Sequence, residues 1–272
     1  MFKTFEMELA GRPLIIETGK MAKQANGAVL VRYGDTAVLV ATTASKEPRE
    51  GTDFFPLTVD YEEKMYAVGK MPGGFLRREG RPGNSAILCA RLIDRPIRPL
   101  FDKRCRNDIH VVATVLSVDY DNAPELCGMI GASASIGISD IPWDGPIAGV
   151  RVGRVDGKYV INPTQEEMAA STMNVTVAGS EEAIMMVEGG AQEAPEEEVL
   201  DAIMFGHETI KEICRFQKKI IEEVGKEKRV LTFPEVPAEI EKDVEAFATE
   251  SLKKAIFDAD KLRRDGNIAA AK

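Results

Sequence analysis

Apolar and polar residues alternate along the first part of the chain, which is the period of a half-buried β-strand. This pattern predicts four strands, at Thr4–Leu9, Leu14–Thr18, Ala28–Arg32 and Thr36–Thr42. The last two are separated by Tyr33-Gly34-Asp35, which is a plausible hairpin turn. Because no helical pattern intervenes, the chain should begin as an antiparallel sheet.

Further along the chain, strand patterns alternate with helical ones. Short apolar runs predict strands at Phe54–Val59, Ile109–Val118, Ile147–Val155, Lys158–Ile161, Met173–Ala178 and Ala183–Glu188. Helical spacing predicts a helix that begins at Asn84 or Ser85 and is stopped by Pro96, and an amphipathic helix over Ala194–Val224. The glycine, alanine and serine residues of Pro124–Ile138 predict a tightly packed helix there. The mixture of elements indicates an α/β (α+β) fold.

The last part of the chain changes in composition. Residues 225–237, GKEKRVLTFPEVP, combine glycine, two prolines and a run of charges, which is typical of a linker. Ala238–Asp265 then predicts a second helical block, too small to bury a core of its own. The expected organisation is therefore a domain over residues 1–224, a linker over 225–237 and the start of a helical domain over 238–272.

Composition argues against several classes of protein. The longest apolar runs, such as VVATVL at Val111–Leu116, fall far short of the roughly 20 residues that cross a bilayer. The first residues, MFKTFEMELAG, lack the apolar core of a secretory signal, so a cytoplasmic location is expected. The four cysteines show no CxxC spacing and only two histidines exist, which predicts reduced, buried thiols and no zinc site.

Charge is distributed unevenly along this acidic chain. The net charge is −9, but residues 70–106 hold ten lysines and arginines against three acids. That window therefore carries +7 and the remainder −16. Most of the cations are arginine, whose planar guanidinium binds phosphate in a bidentate manner. The segment indicates a local surface that binds anions.

The basic segment begins in a loop between Glu62 and Asn84 that contains MPGGFLRREGRPGN. Gly73 and Gly74 allow free turning of the backbone, and Phe75 stands close to three arginines. A ring beside guanidinium groups is suited to single-stranded nucleic acid, where bases stack and phosphates form ion pairs. The arginines concerned are Arg77, Arg78 and Arg81. The alternative is a solvated basic loop that the phenylalanine anchors.

A second group of arginines follows on the predicted helix. Arg91 and Arg95 are four residues apart and so lie on one helical face, and Arg98 lies just beyond Pro96. These side chains could extend the anion-binding surface. They could equally form salt bridges with Asp94 and other carboxylates.

Four motifs make the chain recognisable: GGFLRREGRP, RLIDRPIRPLF, DFFPLTVDYEEK and VINPTQEE. They resemble the first RNase PH-like core of the bacterial polynucleotide phosphorylases, from Met1 to about Val224. The residues that follow resemble part of that family's all-helical linker domain. The resemblance implies a ribosomal-protein-type α/β core, with two mixed sheets sandwiching helices, and then a helical segment.

The resemblance also implies a function. Members of this family are Mg²⁺-dependent 3′→5′ exoribonucleases of mRNA degradation, in which inorganic phosphate attacks RNA and releases nucleoside diphosphates. They form homotrimeric rings around a channel. By position, Phe75, Arg77, Arg78 and Arg81 would grip single-stranded RNA at the channel mouth, and Arg91, Arg95 and Arg98 would guide it deeper. Leu76 stands where the family often has a second phenylalanine, and it cannot stack on a base as a ring does.

The catalytic positions of this family are altered here. The active second core carries GDMDFKVAG, and the matching AASTMNVTVAG has Asn174 for an aspartate and Thr176 for the lysine. Met168 falls at the other catalytic aspartate. In the phosphate loop, Glu125 would repel phosphate. We therefore expect no catalytic residue and no metal site in this half, with Mg²⁺ held by a second core that this sequence lacks.

Two other functions remain open at this stage. One is a free-standing, non-enzymatic RNA-binding or ring-scaffold protein. The other is an autonomous nuclease that uses carboxylates outside the family's motif.

Overall fold

The computed structural model describes residues 2–231, 233 and 237–271. The chain divides into two compact units, residues 1–231 and 232–272. The first unit contains a six-stranded sheet in the order β1-β2-β3-β4-β6-β5. Its strands are β1 (Lys3–Leu9), β2 (Arg12–Thr18), β3 (Gly27–Tyr33), β4 (Thr36–Pro48), β5 (Leu57–Glu63) and β6 (Asn107–Ser117).

The alternation of apolar residues correctly predicted the start of this sheet. Neighbouring strands from β1 to β4 are antiparallel, with Tyr33 and Thr36 paired across the hairpin. β5 instead runs parallel to β6, so the first sheet is mixed. The strand predicted at Phe54–Val59 lies further along the chain, at Leu57–Glu63. Phe54 and Phe55 precede it, and the acidic residues up to Glu63 belong to it.

The second sheet has four strands in the order β10-β9-β7-β8. They are β7 (Ala148–Val155), β8 (Lys158–Ile161), β9 (Met173–Gly179) and β10 (Ile184–Ala191). All its neighbours are antiparallel. The expectation of two mixed sheets is therefore wrong for this one, since a sheet becomes mixed only where a strand such as β5 returns in the same direction.

Four α-helices complete the first unit: α1 (Asn84–Ile97), α2 (Pro124–Ile138), α3 (Gln165–Ala170) and α4 (Glu196–Val224). α2 contacts β3, β4 and β6 of the first sheet and also β7 and α4, so it lies at the centre of the unit. α4 packs on β7 and β9 of the second sheet. α1 continues one residue past Pro96, to Ile97, so the proline lies inside the helix rather than ending it.

The small residues of α2 allow it to be covered on all sides. Its residues from Leu126 to Ile138 are all buried. Ser135 Oγ lies 2.6 Å from Thr42 Oγ1, and Ser133 Oγ accepts a hydrogen bond from the Ile147 backbone N–H at 2.9 Å. These bonds satisfy polar groups that would otherwise be costly inside the core.

Gly131 allows α2 to approach the first sheet closely, and we expect that Gly131→Ala destabilises the protein. An added Cβ would lie 2.5 Å from Val40 Cγ2 and 3.0 Å from Val31 Cγ2. Overpacking of this kind costs about 1–3 kcal/mol, more than alanine gains in helix propensity. Urea unfolding measures the loss.

Gly128→Ala, in the same helix, is the matched control. Its Cβ would lie 3.1 Å from the terminal methyl of Ile93 and at ordinary contact distance from Tyr61 and Ala113, at 3.5 and 3.7 Å, so we expect a change near zero. Equal losses in both variants would show that the close approach at Gly131 does not control stability.

The segment after α4 remains attached to the first unit as far as residue 231. Lys228 Nζ donates to the carbonyl oxygens of Ile136, Gly137 and Ser139 at the end of α2, at 3.1, 2.8 and 2.7 Å. Burial lowers the pKa of this lysine. Arg229 forms an ion pair with Asp140 at 2.7 Å. Of the predicted linker, 225–237, residues 232 and 234–236 lie outside the described residues.

The second unit consists of two helices that pack on each other, α5 (Ala238–Ile256) and α6 (Lys261–Ala271). The sequence predicted one helical block over Ala238–Asp265. The structure divides it near Phe257 and extends its second helix by six residues.

The described residues include no helix that is long and apolar enough to cross a membrane. All four cysteines have free thiols, and Cys105, Cys127 and Cys214 are buried. Burial raises the pKa of the Cys127 thiol to about 12, so this group stays protonated and unreactive at neutral pH.

Candidate nucleic-acid interface

The loop between β5 and α1 presents its apolar residues to solvent at a tight turn. The Arg77 backbone N–H donates to the Gly74 carbonyl oxygen at 3.0 Å, which places Phe75 and Leu76 at the centre of the turn. The φ angle of Arg77 is 51°, in the left-handed region. The Phe75 side chain is fully exposed and Leu76 is 74% exposed. A bare phenyl ring is thus available for stacking.

The three arginines that follow this ring in the loop have no carboxylate partner among the described residues. Arg77, Arg78 and Arg81 are exposed, and within the described part of the chain none of them forms an ion pair. Glu79 is the only acid between residues 64 and 81, and its Oε1 accepts the Met65 backbone N–H at 2.9 Å. The loop therefore keeps its positive charge available for an external anion.

The arginines of α1 differ from one another in their surroundings. Arg91 is exposed and lines a cavity of about 320 Å³ between β5 and α1. Arg95 forms an ion pair with Glu188 of β10, with Nη1 2.8 Å from Oε2. The two side chains are 49% and 60% exposed. Such an exposed pair is weak and can exchange for a phosphate.

Arg98 is bound most firmly. Its guanidinium forms two hydrogen bonds to the Asp94 carboxylate, at 2.7 and 3.0 Å, and another to the Leu57 carbonyl oxygen at 3.0 Å. It also lies over the Phe55 ring, 5.8 Å from the centroid. The structure therefore places Arg98 in the packing of α1 against β5, and Asp94 pairs with Arg98 rather than with Arg91 or Arg95.

A second cavity collects the positions that the family resemblance compares with catalytic residues. It has a volume of about 370 Å³ and lies between α1 and the second sheet. Asn174 and Thr176 of β9 line it, together with Glu125 at the start of α2. Met168 is not among its lining residues and lies in the short helix α3.

Arg151 of β7 also lines this cavity, and the sequence did not identify it as a site residue. Its Nη2 lies 2.5 Å from Glu125 Oε1, although the two residues are 26 positions apart. The charge of Glu125 is thus compensated, so the repulsion of phosphate expected from that residue alone is reduced. Nothing in the local sequence signals this pair, because it depends on how β7 packs beside α2.

The donors in this cavity do not suit a magnesium ion. Mg²⁺ requires oxygen ligands in octahedral geometry and usually one or two carboxylates. The two carboxylates here, Glu125 and Glu188, are each ion-paired with an arginine. Among the residues that the structure describes, no three acids, histidines or cysteines are grouped as metal ligands. We therefore derive no metal-dependent step at this cavity.

Comparison with protein families gives two matches that follow one another along the chain. A model of the 3′ exoribonuclease family, domain 1, matches residues 10–142, and a model of domain 2 of the same family matches residues 145–209. The two matches include the second sheet, the first sheet except β1, and the loop between β5 and α1.

Individual relatives are similar over nearly the whole chain. The polyribonucleotide nucleotidyltransferase of Heliobacterium modesticaldum is 58% identical over 268 residues, which are 98% of this chain and 38% of that protein. Those of Syntrophomonas wolfei and Geobacillus kaustophilus are 59% and 56% identical, over 98% and 99% of this chain and 38% and 37% of the relatives. The chain thus spans about two fifths of the length of these relatives.

Among solved structures, rice (Oryza sativa) Rrp46 is similar in fold. The superposition has a TM-score of 0.60 and covers 81% of this chain and 94% of that one, at 15% sequence identity. At this identity the similarity is evidence for the fold only. The fold agrees with the RNase PH-like architecture that the sequence motifs implied.

Proposed function

Because this chain belongs to the 3′ exoribonuclease family, we propose that it is the RNA-guiding and ring-forming N-terminal part of a polyribonucleotide nucleotidyltransferase. In the longer protein, inorganic phosphate attacks the 3′-terminal phosphodiester bond of RNA and releases nucleoside diphosphates. The relatives' name and the share of their length that this chain matches both support the proposal.

One observation carries the role proposed for this part. Phe75 is fully exposed at the tip of a turn, and Arg77, Arg78 and Arg81 stand beside it with no ion pair among the described residues. Exposing a ring and unpaired charges in this way contributes nothing to the core, whereas it fits a strand of bases and phosphates. We assign these residues to the first grip on single-stranded RNA.

The α1 arginines extend this path with graded roles. Arg91, beside the cavity at β5, forms no ion pair within the described ranges, and Arg95 can exchange Glu188 for a phosphate. Arg98 acts through position, since its bonds to Asp94 and Leu57 fix α1 against the sheet. The loop captures the strand, and the helix guides it onward.

We place the bond-breaking chemistry in a second core outside this sequence. The cavity at Asn174 and Thr176 offers no unpaired carboxylate, so Mg²⁺, phosphate and the nucleoside diphosphates would bind elsewhere in the longer protein. Our proposal also includes homotrimeric rings, a cytoplasmic location and a role in mRNA degradation.

A product assay tests this division of labour. Poly(A) is incubated with phosphate and Mg²⁺, and nucleoside diphosphates are measured by chromatography. We expect no release above background from the isolated chain and turnover from the longer protein. Omitting phosphate should abolish the product, which distinguishes phosphorolysis from hydrolysis.

Two results would contradict the proposal in different ways. Turnover by the isolated chain would identify an autonomous nuclease. RNA binding by a longer protein that never releases diphosphates would identify a non-enzymatic RNA-binding or ring-scaffold protein.

A further inference from the structure

A second exposed aromatic residue lies close in sequence to the loop between β5 and α1, before the GGFLRREGRP motif begins. Tyr66 belongs to the single 3-10 turn Met65–Val68 that follows β5. Its side chain is 54% exposed. More than half of this residue is therefore accessible to a ligand.

The turn that carries Tyr66 is held firmly in place. Val118, directly after β6, donates its backbone N–H to the Ala67 carbonyl oxygen at 3.3 Å, and the Gly69 N–H donates to the Tyr66 carbonyl oxygen at 3.0 Å. Gly69 adopts a left-handed φ of 68°, which ends the turn. A ring on an anchored turn loses little conformational freedom when a base stacks on it.

A side-chain bond also joins this turn to the arginine loop. Glu79 Oε1 accepts the Met65 backbone N–H at 2.9 Å. This bond links the residue before Tyr66 to the residue after Arg78. Tyr66 follows Met65 directly and Arg78 precedes Glu79 directly, and the Cα atoms of such neighbours are about 3.8 Å apart. The turn that carries Tyr66 is thus bonded directly to the loop that carries the arginines.

We propose that Tyr66 is a second base-stacking platform for single-stranded RNA, next to Phe75 and its arginines. The inference rests on the proposed RNA-guiding function and specifies its binding site further. It supplies a ring where Leu76, at the loop tip, offers none. Successive bases of one strand stack on Phe75 and Tyr66, and the phosphates between them pair with the loop arginines.

Charge supports RNA as the ligand at Tyr66. Lys64 pairs with Glu62 at 2.7 Å, but between residues 65 and 81 the chain has four further cations and one acid, the Glu79 that binds Met65. Tyr120 provides the contrast, because it is 74% exposed but lies between Asp119 and Asp121. Two neighbouring carboxylates repel a phosphate backbone, so an exposed tyrosine alone is not the signal.

The test compares three single variants of the full chain: Tyr66→Ala, Tyr66→Phe and the matched control Tyr120→Ala. Binding of a single-stranded oligoadenylate is measured by fluorescence anisotropy as salt is varied. We expect Tyr66→Ala to weaken binding roughly five- to a hundredfold, the effect of losing one stacked base. Tyr66→Phe should retain the affinity, and Tyr120→Ala should match the unmodified chain.

Salt dependence separates stacking from a change in loop structure. Tyr66→Ala removes no charge, so its slope of log K against log salt should equal that of the unmodified chain. A reduced slope would mean that the loop has been displaced, and would overturn the proposal. An oligonucleotide with abasic sites gives a second readout, because on it Tyr66→Ala and the unmodified chain should bind equally.

The outcomes for this inference and for the proposed function can be told apart. If Arg77→Ala with Arg78→Ala weakens binding while Tyr66→Ala and Tyr120→Ala both leave it unchanged, the stacking role of Tyr66 is wrong and the RNA-guiding role stands. If none of these variants changes binding, both proposals are wrong.

Discussion

Replacing Arg77 and Arg78 together by alanine is expected to lower the affinity for single-stranded RNA roughly 25-fold at 0.1 M salt. Each arginine that neutralises one phosphate releases counterions, which gives a slope of about −0.7 per contact in log K against log salt. Losing two contacts therefore reduces the slope by about 1.4. At 0.1 M salt, one decade below 1 M, this reduction lowers log K by about 1.4, which is roughly 25-fold in affinity. Both side chains are exposed and unpaired within the described residues, so no internal ion pair competes for them.

The chain contains a matched control for this pair. Arg263 and Arg264 are also consecutive, and both lie in α6. The Arg263 side chain is exposed and pairs with Asp258 at 3.3 Å. Their replacement by alanine makes the same change in net charge. We expect the affinity and slope of this control to stay close to those of the unmodified chain.

The measurement is an anisotropy titration at several salt concentrations, with unfolding monitored in parallel. If the two double variants lose affinity equally, the binding is a response to total charge and the loop has no special role. An unchanged slope in the loop variant would show that the loop is merely solvated.

Local patterns predicted most of the fold, because burial on one face imposes a period that is visible in the sequence. The limits of α2, Pro124–Ile138, were predicted correctly from its small residues. Errors arose where tertiary contacts decide. β5 begins at Leu57 because it pairs with Ile109 of β6, whereas Phe55 packs against Phe101 with ring centroids 5.0 Å apart.

One missed element had left a signal in the sequence. Helix α3 begins with a capping box in which Glu167 N–H donates to Thr164 Oγ1 and Thr164 N–H donates to Glu167 Oε2, at 3.3 and 2.8 Å. The motif is the T-x-x-E of NPTQEE, which a search for helix starts would have found. Its six residues are too few to show a helical period.

The interface was predictable in composition but not in its ion pairs. Glycines, a phenylalanine and clustered arginines mark the loop in the sequence as a candidate for RNA binding. The pairing of Arg95 with Glu188 joins residues 93 positions apart. That of Arg98 with Asp94 follows helical spacing, but the carbonyl of Leu57 that completes the site lies on another element.

Arg12 joins three separate parts of the first unit, and we expect that Arg12→Ala lowers the free energy of unfolding by about 2–4 kcal/mol. Its guanidinium donates to the Asp121 carbonyl oxygen at 2.9 Å, to Asn122 Oδ1 at 2.8 Å and to the Asn162 carbonyl oxygen at 2.5 Å. It also lies over the Tyr33 ring, 4.7 Å from the centroid.

The large cost follows from what the substitution leaves behind. Asn122 and Asn162 are 3% and 6% exposed, so their oxygen atoms would lose a charged donor in a place that water hardly reaches. For a unit of this size the loss corresponds to a fall in melting temperature of roughly 5–15 °C. Arg12→Lys should recover little of it, because an ammonium group cannot reproduce the planar fork of donors.

Arg49→Ala is the control, since Arg49 forms only an exposed pair with Asp108 at 3.4 Å. Exposed pairs of this kind contribute at most about 1 kcal/mol. Calorimetry of the three variants therefore tests whether Arg12 connects β2 to the turn before α2 and to the end of β8. Similar melting temperatures for Arg12→Ala and Arg49→Ala would mean that these three contacts do not stabilise the fold, and that the turn before α2 is held by Thr36 instead.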